Sequence, residues 1–203
     1  MAYRRTAQIQ ARLDTQRAAI VYAAIELVGE SGYGACSIVR VAARAGIAAG
    51  TVYNHFGSKG DLLAEVFRVV VTREVEAVRA AVTASGRAAE RVTAVIETFA
   101  GRAMKSPRLA YALLAEPVDP KVDALRLEFR QAFTDLVAAA VVDGVASGEL
   151  PPQNPVVTAS ALVGAIGEVL IDPLDTGGSA PDTVSTVITF ALRGIGVHDA
   201  SHA

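Results

Sequence analysis

Two short apolar segments separated by a glycine lie between residues 37 and 56, and they restrict the fold more than any other feature. Apolar residues recur at the i, i+3, i+4 and i+7 spacing of one helix face at Ile38, Val41, Ala42 and Ala45. Gly46 then interrupts the pattern, and a second short helix is predicted over residues 51–55. Ala42 and Ala45 are small enough for two helices to cross closely. This arrangement predicts a helix-turn-helix.

The rest of the chain follows the helical period and has no strand-like alternation. Capping residues, glycines and prolines predict helices over residues 16–30, 38–45, 51–55, 59–83, 87–105, 107–116, 122–147, 155–171 and 182–196. Glycine and proline predict loops at residues 148–152 and 172–179. Aromatic residues make up only 5% of the chain, which favours closely packed helices over an aromatic-rich sheet. We therefore expect an all-α protein.

The charges are divided unevenly along the chain. Residues 1–60 contain seven Lys and Arg against three Asp and Glu, whereas the remainder contains 12 basic and 18 acidic residues. This division favours an N-terminal region that binds a polyanion such as DNA, joined to a body that binds something else. Chance remains the alternative explanation, because so few charges are involved.

The sequence offers little for catalysis or metal binding. Cys36 is the only cysteine, so neither an intrachain disulfide nor a cysteine-based zinc site is possible. His198 and His202 have the i, i+4 spacing of helix-borne metal ligands, but no glutamate base accompanies them. There is no glycine-rich phosphate loop and no nucleophile elbow. We expect no enzyme activity, no metal and no cofactor.

No segment has the pattern of a membrane anchor or a signal peptide. The longest nearly apolar stretch, residues 156–171, is shorter than the roughly 20 residues that a spanning helix needs, and it contains Glu168. The N-terminus carries arginines without a continuous apolar core. We therefore expect a cytoplasmic protein that has no membrane partner and is associated with the nucleoid when bound to DNA.

Residues 37–63 carry a resemblance to a known family. They include the run Thr-Val-Tyr-Asn-His-Phe-Gly-Ser-Lys at residues 51–59, followed by the leucine-rich start of a helix. This stretch closely resembles the signature of the TetR/AcrR transcriptional regulators, and the likeness extends over residues 15–65. The resemblance implies a three-helix DNA-binding domain at residues 1–60. It further implies a C-terminal helical bundle for ligand binding and dimerisation at residues 61–203.

The same resemblance suggests which residues contact DNA. The candidates lie on the two short helices and at the start of the next: Ser37, Arg40, Thr51, Tyr53, Asn54, His55 and Lys59. Tyr53 and His55 are as suited to the DNA backbone as to the bases, because half or more of such contacts go to phosphate and sugar. Ser37 is equally suited to a purely structural role as a helix N-cap. Arg4 and Arg5 form either a minor-groove arm or a solvated tail.

The C-terminal half supplies candidates for an effector site and a dimer interface. The large apolar or amphipathic residues suggest a hydrophobic or amphipathic effector, and they are Phe99, Met104, Tyr111, Leu114, Phe129 and Phe133. The last two long helices offer small and apolar residues for a four-helix interface, namely Ala161, Gly164, Ala165, Gly167, Val184, Val187, Ile188 and Ala191. An ordinary core is the alternative in both cases.

The resemblance implies a homodimer whose two recognition helices lie about 34–36 Å apart and match successive major grooves of a palindromic double-stranded operator. A small effector would displace the middle helices and change that separation. Repression relieved by the effector is the family's usual mode, although activation and corepression leave the same sequence pattern. A helical ligand-binding module without an operator is the remaining alternative.

Overall fold

A computed structural model describes residues 7–84, 86–177 and 181–197. This part of the chain contains ten helices and no strand, which confirms the all-α prediction. The helices are α1 Ala7–Ala35, α2 Ile38–Arg44, α3 Ala49–His55, α4 Lys59–Ala84, α5 Ala88–Lys105, α6 Pro107–Leu114, α7 Pro120–Ser147, α8 Pro155–Val169, α9 Ile171–Thr176 and α10 Pro181–Gly194.

The helix-turn-helix is formed by α2 and α3, as the sequence predicts. Ser37 caps α2, because its hydroxyl accepts a hydrogen bond from the Arg40 backbone N–H at 3.3 Å. Gly46 ends the helix in the left-handed region with a φ of 68°. The Ile47 N–H donates to the Ala42 carbonyl at 3.0 Å, which completes a Schellman turn. A residue with a side chain would be strained at Gly46.

Two predicted elements differ from the structure by more than two residues. The first helix begins earlier, at Ala7, and continues to Ala35 across a break at Gly32, whose φ is 75°. The loop predicted over residues 172–179 is wrong in part, because Ile171–Thr176 forms α9. Leu174 holds this short helix against the core, in which its side chain is buried. No local sequence pattern indicates that this residue is buried.

The buried residues form two hydrophobic clusters. The first joins α1, α2 and α3 to the N-terminal half of α4, and it includes Val52 and Phe56 on the inner side of the helix-turn-helix. It also takes in Ala112 and Leu113 of α6. Helix α1 therefore packs against α6 as well as α4. The proposed boundary at residue 60 remains a prediction, since the first cluster continues along α4 to Val75.

The second cluster fills the C-terminal half. It joins the end of α4 to α5, the second half of α7, and the three helices α8, α9 and α10. Phe133 and Leu136 of α7 pack against both clusters. The Glu149 carboxylate accepts hydrogen bonds from the Ala88 and Ala89 backbone N–H groups at 2.9 and 3.1 Å, and so connects the end of α7 to the start of α5.

Helices α8 and α9 form one largely unburied apolar stretch. The segment Pro155–Thr176 is long and apolar enough to cross a membrane by length and composition alone, and 22% of its apolar 18-residue stretch is buried inside the protein. The helical stretch extends beyond residues 156–171, because α9 follows α8 directly. Val156 and Val157 are 58% and 65% exposed at its start. Their exposure leaves an apolar face for a partner to cover.

Gly144 allows a test of how closely α7 packs against the start of α5. A Cβ at Gly144 of α7 would lie 2.6 Å from the Cβ of Ala88 and 2.7 Å from a methyl group of Leu150. We expect Gly144→Ala to lower the free energy of unfolding by about 1–3 kcal/mol, because both neighbours belong to the packed core. Urea denaturation followed by far-UV circular dichroism measures the change.

The matched control is Gly101→Ala, since Gly101 is an exposed helical glycine at which an added Cβ would have no neighbouring atom within 4 Å. We expect this substitution to raise the free energy of unfolding by up to about 1 kcal/mol through helix propensity. Equal effects at both positions would contradict the close packing of α7 against α5.

Candidate DNA-binding surface and effector cavity

Helix α3 presents polar side chains outward and apolar ones inward. Val52 and Phe56 are buried beneath it, whereas Tyr53 is 53% exposed and Asn54 is exposed beside it. Within the described ranges, no group forms a hydrogen bond with the side chains of Thr51, Tyr53 or Asn54. These three side chains are therefore available to donors and acceptors outside the chain.

Three other candidates for DNA contact already have partners inside the protein. Ser37 is the N-cap of α2, which is the structural role that the sequence offered as the alternative to DNA contact. The Arg40 guanidinium donates to the Ala35 carbonyl at 2.7 Å. His55 Nε2 lies 3.0 Å from the Gln16 side-chain oxygen on α1. The side chains of Arg40 and His55 are oriented by these bonds and retain further hydrogen-bonding capacity for DNA.

Lys59 connects the start of α4 to the end of α1. Its ammonium group donates to the Tyr33 carbonyl at 3.2 Å, and the Tyr33 N–H donates to the Glu116 carboxylate at 2.9 Å. The Tyr33 ring is buried, and this burial raises the pKa of its phenol above the ordinary value. Burial likewise raises the pKa of the Cys36 thiol, so this cysteine is an unreactive core residue.

Arginines hold the helices of the N-terminal region in place. Arg44 forms ion pairs with Glu26 and Glu30 of α1, and its hydrogen bond holds the pKa of Glu30 below the ordinary value. Arg17 donates to Glu65 of α4 at 2.8 Å and lies 4.8 Å from the centre of the Phe56 ring. Because Arg44 is held by two carboxylates, it is not a free charge on the surface.

An apolar cavity of about 140 Å³ lies between α4, α5, α6, α7 and α8. Its walls are mostly aliphatic and aromatic, and the lining residues are Phe67, Val71, Glu74, Val95, Phe99, Ala103, Ala110, Leu113, Leu114, Arg126, Phe129, Arg130, Phe133, Val163, Ile166 and Gly167. Phe99 packs edge-on against Phe133 with ring centres 5.3 Å apart. Phe67 packs in the same way against Phe129 at 5.8 Å. Such a cavity suits an apolar ligand.

Four of the six predicted effector residues line this cavity, namely Phe99, Leu114, Phe129 and Phe133. Met104 and Tyr111 do not line it and pack instead against the second cluster. The Arg108 guanidinium lies 5.5 Å from the centre of the Tyr111 ring.

Three charged residues are among the lining residues that the structure describes: Glu74, Arg126 and Arg130. The Glu74 carboxylate accepts a hydrogen bond from Arg102 at 2.9 Å. Arg126 donates to the Ala112, Leu113 and Glu116 carbonyls at the end of α6, at 2.6 to 2.8 Å. Sequence reasoning missed all three charges, although Arg126, Phe129, Arg130 and Phe133 share one helix face at i, i+3, i+4 and i+7.

The predicted dimer residues do not share one exposed face. Ala161 and Gly164 are exposed on α8, and Ala165, Val184 and Ile188 are partly exposed. Val187 and Ala191 are buried in the chain's own core, at 8% and 0% exposure. Gly167 lines the cavity. Phe190 of α10 is a large apolar side chain with 56% exposure, and sequence reasoning did not select it.

Some candidate residues lie outside the described part of the chain. These are Arg4 and Arg5 at the N-terminus and the His198 and His202 pair near the C-terminus. Within residues 7–84, 86–177 and 181–197, no group of three or more His, Cys, Asp or Glu is arranged to hold a metal ion.

Comparison with known proteins agrees with this architecture. Residues 20–66 match the family model described as bacterial regulatory proteins of the tetR family. This region contains the end of α1, the whole helix-turn-helix and the start of α4. Residues 20–66 therefore belong to the TetR family. The chain as a whole is all-α, with an N-terminal helix-turn-helix domain of the type found in these regulatory proteins and a C-terminal helical domain.

Similarity to two bacterial regulators extends over most of the chain. The fatty acid metabolism regulator protein of Bacillus subtilis is 24% identical over 133 residues, which cover 64% of this chain and 69% of that protein. A TetR/AcrR-family regulator from Thermobifida fusca is 26% identical, with a TM-score of 0.71 over 89% of this chain and 98% of the other.

A further solved structure shares the fold of this chain. It is FadR from Bacillus subtilis in complex with stearoyl-CoA, which is 21% identical with a TM-score of 0.77. The alignment covers 88% of this chain and 98% of that one. At this identity the comparison establishes the fold only.

Ser37 offers a test of its structural role in the helix-turn-helix. We expect Ser37→Ala to lower the free energy of unfolding by about 1 kcal/mol, because the Arg40 N–H loses its acceptor. Ser37→Asn is the matched control, since asparagine caps helices as well as serine does. Thermal and urea denaturation measure both variants, and an unchanged stability of Ser37→Ala would contradict the capping role.

Proposed function

We propose that this protein is a repressor that binds a palindromic operator as a homodimer and releases it when a hydrophobic or amphipathic effector enters the cavity. The observation that carries the proposal is that α3 presents unpaired polar side chains to the outside, while the next helix, α4, forms one wall of an apolar cavity. Residues 1–60 are assigned to DNA binding and residues 61–203 to sensing and dimerisation.

The assignment to DNA rests on the exposed face of the helix-turn-helix. Thr51, Tyr53 and Asn54 present hydroxyl and amide groups to solvent, and an asparagine can recognise adenine in the major groove through two hydrogen bonds. Ser37, Arg40, His55 and Lys59 are proposed to contact the DNA backbone. The internal hydrogen bonds of these residues would hold their side chains in place, and their contacts with phosphates would set the position of the domain along the duplex.

The proposed effector class rests on the walls of the cavity and on a relative. FadR from Bacillus subtilis has been solved with stearoyl-CoA, and a long apolar acyl chain matches a lining rich in phenylalanine. A volume of about 140 Å³ resembles that of an engineered cavity of about 150 Å³ that holds benzene. A long chain therefore fits only if the lining helices move apart. That movement is the proposed signal.

The proposed signal reaches the DNA-binding surface through α4 and α6. Phe67, Val71 and Glu74 line the cavity on the helix that begins with Lys59. The end of α6 is linked to the same lysine, because Glu116 binds the Tyr33 N–H and Lys59 binds the Tyr33 carbonyl. A coupling of about 1–3 kcal/mol between effector and operator would change operator affinity about 5–150-fold.

The proposed homodimer covers the outer face of α8 and α10. Val156, Val157, Ala161 and Gly164 form an exposed apolar and small-residue surface on α8, and Phe190 of α10 is exposed. A second copy explains this surface better than a membrane does, because Glu168, Asp172 and Asp175 lie in the same stretch. The interface proposed here includes Phe190 and omits Val187, Ala191 and Gly167. We place the protein in the cytoplasm, at the nucleoid when bound to DNA.

The first test of the proposed function measures DNA binding. We expect nanomolar to micromolar binding to DNA from upstream of the protein's own gene, with an affinity that falls steeply as salt is raised. Asn54→Ala should weaken specific binding by about 1–3 kcal/mol, because a base contact is lost. Tyr53→Ala should also weaken binding. Fluorescence anisotropy with specific and scrambled DNA measures these affinities.

Tyr22→Ala provides the control, since Tyr22 is 62% exposed and lies on α1 outside the helix-turn-helix. We expect the affinity of this variant to equal that of the unsubstituted protein. If Tyr53→Ala and Asn54→Ala bind the operator as tightly as Tyr22→Ala does, α3 is not the recognition helix.

The second test fills the cavity. No atom lies within 4 Å of the position that an added Cβ would take at Gly167, which lines the cavity. Gly167→Leu should therefore occupy the site and abolish release of the operator by stearoyl-CoA, while operator binding itself persists. Gly101→Leu is the control, because Gly101 is equally open but lies on the outer face of α5.

Titration of each variant–DNA complex with stearoyl-CoA, followed by anisotropy, measures the release. An unchanged response of Gly167→Leu would place effector binding elsewhere. Loss of operator binding in the same variant would instead indicate that the added side chain disturbs the fold, and thermal denaturation separates these outcomes.

A further inference from the structure

Arg130 is an unpaired cation at the mouth of the apolar cavity. Its side chain is exposed and lines the cavity together with Phe129 and Phe133 of the same helix, α7. Within the described part of the chain, no carboxylate or carbonyl accepts a hydrogen bond from its guanidinium. A guanidinium held in this position can form two parallel hydrogen bonds with a carboxylate or a phosphate.

The other charged groups of the cavity are already satisfied. The Glu74 carboxylate is neutralised by Arg102, whose pKa is raised by its hydrogen bond to this carboxylate. Arg126 donates its N–H groups to two carbonyls of α6, to the Glu116 carbonyl just after that helix, and to the Asp123 carboxylate. A ligand therefore meets one available charge at the mouth, and that charge is positive.

We infer that Arg130 selects effectors that carry a negative charge at one end of an apolar chain. The anionic group binds the guanidinium at the mouth, and the chain lies among Phe99, Phe129 and Phe133. This inference rests on the proposed effector-binding function of the cavity, and it adds a specificity-determining residue to it. A free carboxylate and the phosphate groups of an acyl carrier both supply the required charge.

The shape of the cavity supports this orientation. Phenylalanine and aliphatic side chains form the interior, and burial of a charged group among them without a partner would be costly. An amphipathic ligand avoids this cost only if its charged end stays at the rim. The rim position that offers an unpaired donor is Arg130, one helical turn from Arg126.

The test compares probes that share one chain length and differ in charge. Dodecanoate, dodecyl phosphate and lauroyl-CoA are anionic, dodecanol is neutral, and dodecylamine is cationic. Calorimetric titration of the full chain, at probe concentrations below micelle formation, gives the affinities. We expect the anionic probes to bind about tenfold more tightly than dodecanol, as one charged hydrogen bond at a partly exposed site predicts. Comparison among the three anions identifies the favoured head group.

Substitution of Arg130 should change which probes bind most tightly, and the cavity should still bind amphiphiles. Arg130→Gln should bind dodecanoate and dodecanol equally, and Arg130→Glu should prefer dodecylamine. Arg79→Glu is the matched control, because Arg79 is exposed on α4 and does not line the cavity. It changes the net charge by the same amount, and we expect it to keep the preference for anions.

Two outcomes overturn the inference, and they are distinguishable. If dodecanol binds as tightly as the anionic probes, or if Arg130→Glu keeps the preference for anions, Arg130 does not select the charge although the cavity binds amphiphiles. If no probe binds any variant while operator binding is intact, the proposed effector class fails and the inference fails with it. Thermal denaturation confirms that each variant is folded, as expected for an exposed side chain.

Discussion

Helix α4 belongs to both hydrophobic clusters, and the rest of the structure depends on this shared helix. It begins at Lys59, beside the helix-turn-helix, packs Leu62, Val66 and Phe67 into the first cluster, and ends with Val78 and Val82 in the second. A continuous helix of 26 residues is a rod of about 39 Å. The proposed regulation uses this continuity, since it requires a displacement of the cavity wall on α4 to reach Lys59.

Helix α6 makes the second connection between the two halves. Arg126 of α7 binds the Glu116 carbonyl, the Glu116 carboxylate binds the Tyr33 N–H, and Lys59 binds the Tyr33 carbonyl. The polar groups thus form an unbroken series from the cavity wall to the start of α4. Glu116 and Arg108 also pair at 3.0 Å beside the break in α1 at Gly32. The proposed regulation requires the effector to bind one arrangement of these contacts more tightly than another.

The local parts of the fold were predictable because their signals are local. The Ser37 cap, the Gly46 turn and the buried positions of α2 and α3 depend on neighbouring residues, and the structure contains them, although Ala45 is only partly buried. Helix α9 was not predictable in this way, because Leu174 stabilises it by contacts with distant helices. The charges of the cavity were missed for a similar reason. Arg126 and Arg130 are separated by one helical turn, but sequence spacing does not indicate what their side chains face.

The sequence by itself determined the all-helical class, the helix-turn-helix and the resemblance of this region to the TetR family, because these depend on periodicity, capping and a specific run of residues. Only the tertiary structure decided which side of each C-terminal helix faces inward. Helix α8 is apolar on nearly all sides and has no polar face to indicate its orientation, so Gly164 and Gly167 are equivalent in sequence. Packing against α7 and α10 makes Gly164 exposed and brings Gly167 to the cavity. The same packing buries Val187 and Ala191 and leaves Phe190 exposed.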